Sequence, residues 1–86
     1  TLARNQITDV GALALANSKT LVNLKELDLN FNQIENQGAI AIARAQIFSN
    51  LEALKLGQNK IGTAGAKELK ESKTLANLIY PIFGFY

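Results

Sequence analysis

The sequence predicts an α/β array in which short parallel strands line one side of the domain and helices line the other. One observation is a tandem repeat, because a shift of 27 residues carries Leu24 to Leu51 and Gly38 to Gly65 without a gap. A second is a change of hydrophobic period within each repeat, from strand-like alternation to helix-like spacing. Units of this kind bury their apolar faces only against their neighbours, so we expect them to stack into one solenoid domain.

The strand of each repeat is indicated by leucines two positions apart. Leu27 and Leu29 would lie on one face of an extended chain, with polar side chains on the other face. The same pattern recurs in the next repeat. We therefore predict strands near residues 27–29 and 54–56, paired in parallel.

The helix of each repeat is indicated by a glycine followed by apolar residues at helical spacing, as in the segment after Gly38. The other two repeats have a glycine at the same place. We predict helices near residues 11–18, 38–48 and 65–72, each opened by its glycine. The side chains expected to cover the strands are Ala12, Leu15, Ala39, Ile42, Ala66 and Leu69.

An asparagine stands where the chain turns out of each strand, at Asn5, Asn32 and Asn59. A buried turn leaves backbone N–H and C=O groups without partners, and an amide side chain both donates and accepts hydrogen bonds. Three asparagines could also form a ligand or ion site. Their identical repeat positions favour a structural ladder, in which each amide satisfies the backbone of a neighbouring repeat.

The repeat resembles a known family. The stretches LKELDLNFNQI (residues 24–34) and LEALKLGQNKI (51–61) are similar to the leucine-rich repeat, and LARNQI (2–7) is similar to its second half. The long helical half resembles the ribonuclease-inhibitor-like subclass. This resemblance implies an α/β leucine-rich-repeat solenoid, a right-handed β-α superhelix of about three 27-residue repeats, with a short parallel sheet on its concave face and helices on its convex face.

We expect a single domain over the whole chain. It would comprise a partial repeat at 1–23, full repeats at 24–50 and 51–77, and a C-terminal cap or partial strand at 78–86. The last segment is too apolar to be left in water. It would either fold over the end of the third repeat as a cap, or place aromatic side chains such as Tyr80 and Phe85 on the binding face.

The composition argues against catalysis. The chain contains no His and no Cys, which removes the usual general base, the thiol nucleophile and the common zinc ligands. Glu26 and Asp28 could form an acid–base pair on one strand face. The alternative, which we favour, is an exposed ion pair between Asp28 and Lys55, its equivalent in the next repeat. We therefore expect no enzyme activity, no cofactor and no metal.

Charge and hydropathy narrow the class of partner. The formal net charge is only +2, and the basic residues do not cluster on one face, so we expect no nucleic-acid partner. The longest apolar runs fall short of the ~20 residues of a membrane helix, so we expect no membrane partner. The absence of Cys and of N-x-[ST] sequons favours an intracellular, cytosolic setting.

What remains for function is a surface. Phe31, at the middle of the predicted concave face, is a candidate anchor for a partner, although it could instead be a surface aromatic that lies over its neighbours. The candidate partner-binding residues are Arg4, Glu26, Asp28, Asn30, Phe31, Lys55, Gln58, Tyr80 and Phe85.

The resemblance implies a module that binds a folded protein, in some cases an enzyme whose active site it blocks. An adaptor or enzyme inhibitor that acts by binding alone is therefore the first expectation. The alternative is a structural spacer or sensor segment within a larger leucine-rich-repeat receptor, ligase or secreted bacterial effector. Short repeats rich in Lys, Asn and Ile also resemble proteins that intracellular bacteria deliver into host cells.

Overall fold

The computed structural model describes residues 2–19, 23–79 and 82. Strands and helices alternate along the chain. The helices are α1 (Asp9–Ala16), α2 (Asn36–Arg44) and α3 (Thr63–Lys70), a short 3-10 helix spans Gln46–Phe48, and the strands are β1 (Glu26–Asp28) and β2 (Ala53–Lys55).

The two strands pair in parallel, with Leu27 opposite Leu54, so the predicted pairing is confirmed. Both strands lie one residue earlier than predicted. Leu29 and Leu56 are buried, but their carbonyl oxygens accept hydrogen bonds from the Asn59 side chain at 2.9 and 3.1 Å. These two leucines therefore already belong to the turn that follows each strand.

Backbone hydrogen bonds between neighbouring repeats continue beyond the ends of the two strands. Leu29 N–H donates to Lys55 O at 2.9 Å, and Leu2 N–H donates to Asp28 O at 3.1 Å in the equivalent place. Arg4 N–H continues this row by donating to Asn30 O at 3.0 Å. The segment around residues 2–4 thus runs beside β1 as β1 runs beside β2.

The core lies between the strands and the helices, as the leucine and alanine pattern predicts. α2 packs against both α1 and α3. The predicted residues that are buried are Ala12, Leu27, Leu29, Ala39, Ile42, Leu54, Leu56 and Leu69, and the half-buried Leu15 and Ala66 pack against them.

The helices begin two residues before the predicted glycines, so the prediction that a glycine opens each helix is wrong. Gly38, for example, is the third residue of α2. The start is set by a side chain of the preceding helix: Asp9 Oδ1 accepts hydrogen bonds from Glu35 N–H at 2.8 Å and Gly38 N–H at 2.9 Å. These bonds satisfy backbone donors of the first turn, which have no partner within their own helix.

The second helix also ends earlier than the predicted residue 48. α2 stops at Arg44, and Ala45 turns the chain into an extended conformation at ψ 113° before the 3-10 helix. After this break the Phe48 side chain lies in the core, where it is fully buried. A continuous helix would carry this ring in a different direction, so burial of Phe48 overrides the helical pattern.

The hydrogen bonds of Asp9 to the start of α2 are repeated by Asn36 at the start of α3, so side chains at equivalent positions link each helix to the next. Asn36 Oδ1 accepts hydrogen bonds from Gly62 N–H and Gly65 N–H, both at 2.8 Å, as Asp9 does one repeat earlier. These links between helices were not predicted from the sequence. The signal was present, because Asp9, Asn36 and Thr63 occupy equivalent positions and are all residue types that favour helix N-termini.

We expect Asn36→Ala to lower the free energy of unfolding by about 1–2 kcal/mol, because two N–H donors at the start of α3 lose their acceptor. Urea denaturation followed by circular dichroism measures this change. Gln37→Ala, at the next and exposed position of the same helix, is the matched control and should change stability little. Equal stability of the two variants would contradict the structural role of Asn36.

Candidate functional site

The polar and aromatic side chains predicted for binding that the structure describes are exposed or half-buried, and they stand beside the buried leucines of the strands in the sequence. We call this surface the strand face, and its described members are Arg4, Glu26, Asp28, Asn30, Phe31, Lys55 and Gln58. Tyr80 and Phe85, the two other predicted members, lie outside the described residues. Of the described residues in the same part of the sequence, the half-buried Leu78 and Ile82 pack against the core.

The ion pair on the strand face differs from the predicted one. Lys55 Nζ lies 3.2 Å from Glu26 Oε2, not beside Asp28. The Asp28 carboxylate instead accepts a hydrogen bond from Asn30 N–H at 3.0 Å, which holds it along its own strand. Because the two side chains are 42% and 57% exposed, water screens the pair, which contributes under ~1 kcal/mol to stability.

Asn30 is half-buried and has a structural contact in addition to its place on the strand face. Its Oδ1 accepts a hydrogen bond from Gly57 N–H at 2.6 Å. This bond ties the end of β1 to the equivalent position after β2. Part of the predicted binding capacity of Asn30 is therefore used within the fold.

The most distinctive feature of the strand face is a stacked pair, Arg4 and Phe31. The guanidinium carbon of Arg4 lies 4.0 Å from the centroid of the Phe31 ring. Both side chains reach solvent, and Phe31 is 45% exposed. Cation–π contacts at exposed sites contribute about 0.5–1 kcal/mol, so each side chain is held in place by the other.

Arg4, Phe31 and Gln58 are equivalent residues of successive repeats, and all three have a left-handed backbone, with φ of 62°, 60° and 57°. At this point each repeat turns from the strand towards its asparagine, which is Asn5, Asn32 or Asn59. Such angles cost a non-glycine residue about 1–2 kcal/mol. The shared conformation places the three side chains in one row, which explains why Arg4 and Phe31 meet.

The predicted asparagine ladder is confirmed for Asn32 and Asn59, whereas the third predicted member, Asn5, is exposed. Asn32 is 6% exposed, and its Oδ1 accepts hydrogen bonds from Asn5 N–H and Ile7 N–H, both at 2.9 Å. Its Nδ2 donates to three carbonyl oxygens, those of Leu2, Leu29 and Asn30. Asn59 repeats the arrangement and binds Ile34 N–H at 3.0 Å. The turn that presents Phe31 is thus anchored on both sides.

Replacement of Phe31 separates backbone strain from side-chain contacts. We expect Phe31→Gly to be more stable than Phe31→Ala by up to about 1 kcal/mol, because glycine relieves the left-handed strain by more than it loses in unfolded-state entropy. Thermal and urea denaturation of both variants measure the difference. A Phe31→Ala variant that is as stable as Phe31→Gly would show that the turn is unstrained.

A second exposed apolar surface lies on the helix side and was not predicted. Val10 and Leu13 of α1 are 78% and 51% exposed. With Asp9 and Gln37 they line an open cavity of about 310 Å³. The sequence signal is that α1 is apolar on its outer side, whereas the equivalent of Val10 in α2 is polar.

Two further features bear on the kind of site. Among residues 2–19, 23–79 and 82, no group of three or more acidic side chains is placed to hold a metal ion. None of the helices within that part of the chain has the length and apolar character needed to cross a bilayer.

Repeated strand–turn–helix units, with two of the strands paired in parallel, define an α/β repeat protein. The Leucine Rich repeat family matches the chain over residues 2–16, 20–43 and 49–70. These stretches make up more than half of the sequence, so the chain belongs to the leucine-rich repeat family, whose members generally serve as non-catalytic protein-binding modules. Comparisons with curated proteins and with solved structures gave no match.

Proposed function

We propose that this protein binds a folded protein partner through its strand face and acts by binding alone, as an adaptor or an enzyme inhibitor. The proposal includes a right-handed solenoid of about three 27-residue repeats of the ribonuclease-inhibitor-like kind, with the strand face on its concave side. The single observation that carries it is the exposed Phe31 ring with Arg4 stacked over it at 4.0 Å.

This pair supports binding for two reasons. Interfaces concentrate their free energy in a few aromatic and arginine side chains, and both types are present here in contact. The stacking and the fixed left-handed backbone also order the two side chains before a partner arrives, which reduces the conformational entropy lost on binding. The strand face therefore presents a preformed anchor.

Affinity capture with the whole chain as bait, followed by mass spectrometry, identifies candidate partners. Calorimetric titration then tests the surface. We expect Phe31→Ala to weaken binding of a captured partner about 10-fold or more, because truncation of a central aromatic anchor costs ~1–3 kcal/mol. Lys67→Ala, on the exposed side of α3, is the control and should bind as the native chain does.

Two results would contradict the proposal. Loss of binding in a Val10→Ser, Leu13→Ser double variant, with binding retained in Phe31→Ala, would place the partner on the helix side. Native affinity in every surface variant would favour the alternative role, a spacer within a longer chain. Circular dichroism of each variant checks that it is folded, so that a loss of binding can be distinguished from unfolding.

A further inference from the structure

We propose that the Arg4–Phe31 pair is a subsite for a carboxylate side chain of the protein partner, with an apolar neighbour of that carboxylate packed on the ring. This inference rests on the proposed function, since it names the chemistry that the strand face recognises. It is carried by the charges on that face and by the contacts that each of them makes.

The strand face has two described cations, and they differ in their partners. Lys55 is neutralised by Glu26, with 3.2 Å between Nζ and Oε2. Arg4 has no carboxylate within 4.0 Å among the described residues, and its guanidinium contact there is with the Phe31 ring. A ring contact uses none of the five guanidinium N–H donors. The exposed Arg4 therefore keeps both its charge and its donors available to a partner.

A stacked guanidinium is suited to a carboxylate. Its planar fork matches the two carboxylate oxygens, so that two parallel N–H···O bonds can form. The Phe31 ring limits the conformations of the arginine, so less freedom is lost when those bonds form. The exposed part of the ring lies beside this position and offers an apolar contact, and Gln58 follows in the same row.

The other charges on the strand face favour a single carboxylate over a polyanion. Glu26 and Asp28 are the first and last residues of β1, and Asp28 lies two residues before Asn30, whose carbonyl oxygen accepts a hydrogen bond from Arg4 N–H at 3.0 Å. A nucleic acid or a phosphate-rich chain laid across the face would meet the Asp28 carboxylate, which has no ion pair among the described residues, and like charges repel. A single acidic side chain flanked by apolar residues carries one charge and therefore meets less of this repulsion.

A pair of peptides that differ only in the charge tests the subsite. The whole chain, labelled with ¹⁵N and ¹³C, is titrated with acetyl-Leu-Glu-Leu-amide and separately with acetyl-Leu-Gln-Leu-amide, while the Arg4 Nε–H and Phe31 ring signals are followed by NMR. We expect the glutamate peptide to shift both signals and to bind about 3- to 5-fold more tightly, as an exposed charge pair allows. Arg4→Gln should remove this difference, and Arg4→Lys should retain only part of it, because lysine lacks the planar fork.

Three results would overturn the subsite. Equal binding of both peptides would mean that charge is not recognised, while the proposed strand-face function would remain intact. Equal shifts with inorganic phosphate at matched ionic strength would show a general anion effect. Absence of shifts at Arg4 and Phe31 with either peptide would show that the pair does not bind a carboxylate. The separate loss of partner binding in Phe31→Ala tests the function itself.

Discussion

Replacement of Asn32 by alanine is expected to lower the free energy of unfolding by about 3 kcal/mol, because each buried polar group left without a partner costs ~1–3 kcal/mol. The side chain makes five hydrogen bonds, two from backbone N–H groups and three to carbonyl oxygens. Water cannot readily replace them, since Asn32 is 6% exposed. The variant should therefore unfold at a clearly lower urea concentration.

Asn5→Ala provides the matched control for this substitution. Asn5 is the equivalent residue one repeat earlier and is exposed, so its amide is already in contact with water. We expect a change of less than ~0.5 kcal/mol, as for most surface substitutions. If the two variants unfolded at the same urea concentration, the Asn32 side chain would not stabilise the fold through its hydrogen bonds, and the turn would instead be solvated.

Gly38→Ala is expected to cost about 2 kcal/mol, a typical penalty for adding a methyl group to a tightly packed site. A Cβ at this position would lie 2.5 Å from Asp9 Oδ1, 2.8 Å from Ile34 Cγ2 and 3.1 Å from Ala12 Cβ. Ala12 cannot turn away, and movement of Asp9 would break its hydrogen bonds to the start of α2. The methyl group would thus push α1 and α2 apart.

Gly11→Ala is the control, because Gly11 has the same position in α1 but no preceding helix in the described structure. A Cβ there would meet only the side chain of Ile7, with Cγ2 at 2.8 Å. Alanine is favoured over glycine in helices by ~1 kcal/mol, which offsets this contact. We expect little net change. Thermal melts of the two variants that coincide would mean that α1 and α2 are not closely packed.

These substitutions also connect stability with the strand face. Asn32 follows Phe31 directly, and its amide holds the carbonyl oxygen of Asn30 on the other side of that residue. Loss of the amide would loosen the turn that presents the ring. Weaker partner binding by Asn32→Ala would therefore reflect a displaced Phe31 ring. Only variants of Phe31 itself test the contacts that the ring makes with a partner.

The 27-residue spacing was sufficient to predict which residues of neighbouring repeats lie side by side. Because one unit must match the next, equivalent residues such as Leu27 and Leu54 had to lie side by side, and the structure pairs them. The buried asparagine could also be predicted, since a turn below the surface needs an amide to satisfy its backbone groups. For both features, the residue type and the 27-residue period are sufficient to predict the position.

Contacts between repeats were harder to predict. The helix starts depend on Asp9 and Asn36, whose side chains reach across to the following helix. Lys55 forms its ion pair with Glu26, and Asp28 accepts a hydrogen bond from Asn30 N–H. Lys55, for example, has two acidic residues, Glu26 and Asp28, on the neighbouring strand. Spacing along the chain does not choose among them.

The sequence by itself determined the class of fold, the parallel register, the leucine core and the absence of the residue types most used in catalysis, because these follow from periodicity and composition. Only the tertiary structure decided that α2 breaks before Phe48 and that Arg4 stacks on Phe31. The physical reason is the same for both. Burial of a ring and contact between two side chains depend on where neighbouring repeats place their backbones, and those positions, including the left-handed angle at Phe31, are set by packing.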